Sequence, residues 1–91
     1  MELIYPINFV GYERGDFSGE VVTRDGEYLG NWTLSEDDEG ISGEFEFTAD
    51  GESEVLFSEK VGFLDSGLLR GLALSTICQS IRAWHEQKDQ A

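Results

Sequence analysis

The chain has one cysteine, one proline, one histidine and only six Lys and Arg among its 91 residues. Each scarcity removes a class of protein. The lone cysteine, Cys78, supports neither an internal disulfide framework nor a cysteine-based zinc site. Six bases against nineteen acids give a formal net charge of −13. Phosphate backbones and anionic membrane surfaces attract Lys and Arg, so direct nucleic-acid binding and membrane binding are not expected. No stretch approaches ~18 uninterrupted apolar residues, so no membrane span is expected either. The opening MELIYPINFV lacks a basic start, carries Glu2 and is interrupted by Pro6 and Asn8. It does not read as a signal peptide, and these absences together point to the cytoplasm.

What is present is a globular composition: 40% hydrophobic and 12% aromatic residues, where a disordered acidic chain would lack the aromatics. The length suits one domain over residues 1–91. A folded chain of this mass exposes roughly 5,300 Å², and domains of this size usually carry a net charge of magnitude about 2–8. The excess is local. Residues 13–59 contain fifteen acids against Arg14 and Arg24, a net −13, while the acids and bases of the two flanks cancel. There is no Pro/Ser-rich linker and no internal repeat.

The middle of the chain reads as strands. Asp25-Gly26 in VVTRDGEYL predicts a two-residue hairpin turn, because paired positive-φ positions favour this dipeptide. Thr23 then faces Tyr28, Val21 faces Gly30, Gly19 faces Trp32 and Phe17 faces Leu34. The polar SEDDEG loop brings Leu34 opposite Ile41, which sets Trp32 beside Gly43 and Gly30 beside Phe45. A three-residue Ala49-Asp50-Gly51 turn pairs Phe45 with Val55 and Gly43 with Phe57, and it sets Glu46 opposite Glu54. Upstream, Leu3, Tyr5, Ile7 and Phe9 alternate on one side of a strand that Pro6 confines to a sheet edge. Downstream, Leu69, Leu72, Ala73, Ile77, Ile81 and Trp84 recur at helical spacing, with Leu68, Leu74 and Cys78 widening the band. Asp65 or Ser66 is the expected N-cap. Gly67 and Gly71 weaken the first turns and imply close helix–sheet contact. The expected fold is α+β, a five-stranded antiparallel β-meander with one C-terminal α-helix packed across its apolar face.

No reaction is legible. His85 and Cys78 lie two helical turns apart, about 10 Å along the axis, beyond hydrogen-bond reach. No phosphate loop and no nucleophile elbow is present. The chain is therefore read as a non-enzyme with no catalytic residues, no cofactor and no dedicated metal site. The consecutive acids Glu36, Asp37, Asp38 and Glu39 lack the spacing of a calcium loop. The expected function is recognition of a basic protein partner through Glu20, Glu44, Glu46 and Glu54 with Glu36–Glu39. Carboxylates along a strand repeat at about 6.6–6.8 Å, close to phosphate spacing. A nucleic-acid mimic that inhibits a nucleic-acid-handling protein of host defence fits that surface. The alternative is a homodimer or small scaffold using an outer apolar patch of Val22, Leu29 and Leu56, with the charge serving solubility.

Overall fold

A computed structural model describes residues 5–89. The strands are β1 (Ile7–Phe9), β2 (Ser18–Thr23), β3 (Tyr28–Glu36), β4 (Gly43–Ala49) and β5 (Phe57–Val61), with a 3₁₀ turn at Tyr12–Arg14 after β1. Helix α1 (Gly67–Asp89) follows. The five strands form one antiparallel sheet in the order β1-β2-β3-β4-β5, and α1 packs chiefly along β5, touching β1 and β4. This is the α+β meander-plus-helix that the alternation and the final helical period predict.

Period two sorts the side chains. Trp32 and Leu34 of β3, with Phe45, Phe47 and Ala49 of β4, point inward and are buried. From α1, Ala73, Ile77 and Ile81 close over them, and Trp84 meets the Phe47 ring edge-on at 5.7 Å. Ser66 caps the helix, its Oγ accepting from the Leu69 amide at 3.2 Å. Leu69 and Leu72, expected on the core stripe, are largely exposed. The buried residues of α1 begin at Ala73, and at 100° per residue Leu72 projects to the side away from Ala73, Ile77 and Ile81.

Trp32 anchors the fold. It is fully buried, stacks on Phe9 at 5.3 Å and is met edge-on by Tyr12 at 6.1 Å. Its indole N–H donates to the Val10 carbonyl at 3.0 Å. Gly19, directly opposite as expected, leaves the space: an added Cβ there would strike the Val10 carbonyl oxygen and come within 2.9 Å of the indole nitrogen.

The registers differ from expectation in three places. The first hairpin closes through a three-residue Arg24-Asp25-Gly26 turn, with the Thr23 amide donating to the Glu27 carbonyl at 2.9 Å and Gly26 at φ 89°. Val22 then pairs with Tyr28, and a bulge opposite Val21 and Val22 turns Leu29 into the core. Between β3 and β4, Leu34 faces Phe45 rather than Ile41, four residues further along, so Trp32 lies beside Phe47 and Gly30 beside Ala49. Between β4 and β5, Phe47 faces Phe57 and Gly43 faces Val61, so the connection is longer than a three-residue turn. Gly43 is covered by Leu64 instead of Trp32. At the sheet edge, Ile7 and Phe9 are buried as expected and Tyr5 is exposed; Leu3 lies outside the described residues.

Candidate interaction surface

The outer face of the sheet is polar and uncovered by α1. Outward positions form rows across the strands: Ser18, Thr33, Glu46 and Ser58; then Glu20, Asn31 and Thr48; then Ser35, Glu44 and Lys60. Within each row the glutamate lies beside a hydroxyl, an amide or the lysine, and Glu44 and Glu46 follow one another on the outer side of β4. The expected Glu46–Glu54 opposition does not occur. Glu46 faces Ser58 and Glu44 faces Lys60, while Glu54 sits in the exposed β4–β5 loop. Like charges directly opposite destabilise a sheet, and the longer loop avoids that cost.

Most of the remaining charge gathers at the two ends of the strands. One end holds Glu13 and Asp16 of the β1–β2 connection with Glu36–Glu39 around the β3–β4 loop. The other holds Asp25 and Glu27 with Asp50, Glu52 and Glu54, and there His85 Nε2 stands 3.8 Å from Glu27 Oε1. Of the eight carboxylates expected to act together, Glu20, Glu44 and Glu46 share the outer face. Glu36, Asp37, Asp38 and Glu39 cluster at one end, and Glu54 lies at the opposite end.

Asp37 has a structural task within its cluster. Its carboxylate accepts from the Ile41 amide at 2.9 Å and from the Ser42 hydroxyl at 2.9 Å. Those hydrogen bonds, the Ile41 amide foremost, hold its pKa below the usual carboxylate value. Asp37 shapes the loop that displays Asp38 and Glu39. Among the described residues, no group of three or more His, Cys, Asp or Glu is arranged to hold a metal ion.

The expected apolar patch does not assemble. Leu29 is buried in the core through the β3 bulge. Val22 is half-buried on the outer face between Asn8 and Tyr28, and Leu56 is exposed in the β4–β5 loop.

Two features lie beyond the sequence reading. Because α1 hugs β5, a groove of about 840 Å³ opens on its other side against β1, lined by Tyr5, Phe9, Tyr12, Leu74, Cys78 and Arg82 among others. Burial pushes the Cys78 thiol up to about 12, so it is a neutral wall group rather than a nucleophile. The arginines at this groove are engaged, Arg14 with Asp16 at 3.0 Å and Arg82 with Glu86 at 2.9 Å. The second feature is the exposed start of α1, where Leu68 and Leu72 point away from the core. A helical projection signals it, since both fall opposite Ala73, Ile77 and Ile81 at 100° per residue. The groove has no such signal, because it depends on where α1 sits over the sheet.

No helix among the described residues is long and apolar enough to cross a membrane. Comparison of the chain with models of protein families, with curated proteins and with solved structures finds no match.

Proposed function

We propose that this chain is a non-enzymatic recognition protein whose outer sheet face, with the acidic loops at the strand ends, binds a basic protein. The observation that carries this reading is the carboxylate surplus on an open face. Nineteen acids against six bases leave most carboxylates with no basic residue of the chain to neutralise them, and Glu20, Glu44 and Glu46 stand on the outer face of the sheet, away from α1. A field of that sign draws a positively charged partner quickly and weakens with added salt. The finer form of the proposal is imitation of a nucleic-acid strand. Glu44 and Glu46 are successive outward positions of β4, about 6.6–6.8 Å apart along the strand. On the neighbouring strands Ser35 and Lys60 flank Glu44, and Thr33 and Ser58 flank Glu46. The target class is then a protein that handles nucleic acid through a basic groove.

The test is affinity capture from a lysate of the source cell with the native chain and with a Glu20→Lys/Glu44→Lys/Glu46→Lys variant, the variant first verified as folded by tryptophan emission. The expected result is a basic protein held by the native chain alone, released by a salt gradient and also by added duplex DNA or RNA. Equal capture by both chains, or a partner retained unchanged through high salt, would overturn the proposal. A partner released by salt but not by nucleic acid would leave recognition standing and remove the mimicry.

A further inference from the structure

Strand β1 forms one edge of the sheet, and half of its backbone is unused. Ile7 faces Thr23, Asn8 faces Val22 and Phe9 faces Val21, and just beyond them the Val10 amide donates to the Glu20 carbonyl at 2.9 Å. Hydrogen-bonded and non-hydrogen-bonded pairs alternate along an antiparallel ladder. Asn8 with Val22 is therefore the next bonded pair, and Ile7 and Phe9 turn their N–H and C=O groups away from β2. Among the described residues, no hydrogen bond outside the sheet takes up those groups.

Beside this open edge lies the groove of about 840 Å³, within the range of about 300–1,000 Å³ typical of ligand clefts. One wall is β1 with Tyr12. The other is a single stripe of α1, in which Gly71, Leu74, Ser75, Cys78 and Arg82 recur at helical spacing. Gly71 adds an observation of its own. A glycine inside a helix weakens it relative to alanine, and close helix–sheet contact was the expected reason for this one. An added Cβ at Gly71 would meet nothing within 4 Å, so contact within the chain does not explain it. Gly71 borders the groove, and its missing side chain leaves that space open.

We propose that an extended segment of a partner protein adds to the β1 edge as a further strand, with alternate apolar side chains seated in the groove and Lys or Arg at its two ends. The outward N–H and C=O groups of Ile7 and Phe9 supply the hydrogen bonds, as an exposed sheet edge does for an added strand. Period two then sends every second side chain of the segment to the α1 side, onto Tyr12, Leu74 and Cys78. Charge selects the ends. Arg14 and Arg82 at the groove are each bound to an acid, Asp16 and Glu86, so the remaining charges decide the sign. Glu13 borders the groove at the end of the sheet that carries Glu36–Glu39. At the other end Ile7 faces Thr23, and the turn after Thr23 carries Arg24, Asp25 and Glu27. Acids exceed bases at both ends, so a basic segment is attracted and an acidic one repelled. The proposal does not rest on the outer-face reading, because the groove lies on the α1 side of the sheet.

Selection of short random peptides displayed on phage against the native chain, followed by amide hydrogen exchange with the strongest binder, tests it. The expected consensus alternates apolar residues between basic ends. In the free chain the Ile7 and Phe9 amides are expected to exchange fast while those of Asn8 and Val10 are protected, and the peptide is expected to slow Ile7 and Phe9. Binding at Glu20, Glu44 and Glu46 leaves those edge amides fast, so the two proposals fail separately. Gly71→Phe grows from an exposed helical position into open space. It is expected to keep the fold and to weaken peptide binding at least ~10-fold. No enriched peptide, a binder that leaves Ile7 and Phe9 fast, or slow exchange at both in the free chain overturns the inference. An affinity indifferent to Gly71→Phe overturns the seat in the groove, and acidic ends on the selected peptides overturn the charge assigned to the partner.

Discussion

Gly19 shows how one absent side chain organises a core. The indole of Trp32 and the carbonyl of Val10 occupy the space above it, so Gly19→Ala must displace one of them and break their hydrogen bond. The expected cost is about 1–3 kcal/mol, measured as a lower urea midpoint by tryptophan emission. Two titrating groups bound the pH range in opposite directions. Cys78 has its pKa raised by burial, so its contribution to stability is complete below the thiol's unfolded value near 9.0 and is lost as pH climbs from there toward about 12. Denaturation followed between neutral and alkaline pH tests this, with Cys78→Ala expected to remove that part of the decline. Asp37 has its pKa lowered, so its contribution is present above the unfolded value of 3.8 and is lost as pH falls through the lower folded value. Hydrogen exchange at the Ile41 amide is expected to accelerate over that acidic range, and in Asp37→Ala to be fast throughout. At this scale the sequence was legible where a large residue faces a glycine across a strand pair, as Trp32 and Gly19 do. It was not legible at Asp37, whose partners are backbone and hydroxyl groups of a loop with no periodicity.

Among the elements, the sheet shows what alternation can and cannot specify. A strand's pattern says which side chains turn inward, and a slip by an even number of residues leaves that answer unchanged. Trp32, Leu34, Phe45 and Phe47 were therefore placed on the correct face, while Leu34 was matched with Ile41 in place of Phe45. The three-residue turn closed by Thr23 and Glu27 shows the other failure. Thr23 Oγ also accepts from the Glu27 amide at 3.1 Å, and the bulge that follows carries Leu29 across to the core. Neither event leaves a trace in period two. The observed registers have a measurable consequence: Glu44 lies opposite Lys60. Lys60→Glu sets like charges across that pair and is expected to cost up to about 1 kcal/mol, readable by urea denaturation. In the helix, Ser66→Ala removes the cap on the Leu69 amide and is expected to cost about 1 kcal/mol.

The whole molecule is a sheet with one face closed by a helix and one left open, in a chain of −13. That much charge strains the compact state by self-repulsion. Thermal midpoints are therefore expected to rise as salt increases from low concentration to ~0.5 M; a midpoint that stays flat would mean that the chain's own bases and bound cations already offset the repulsion. The meander adds a consequence in time. Its strands are neighbours in sequence as well as in space, and they leave the ribosome before α1 does. For the interval in which α1 is still being made, Phe47 lacks the Trp84 ring that meets it in the finished fold. Nascent chains in that state would adhere to one another through their bare inner faces if nothing held them apart. Fifteen acids are translated with those strands, and their like charge opposes that adhesion.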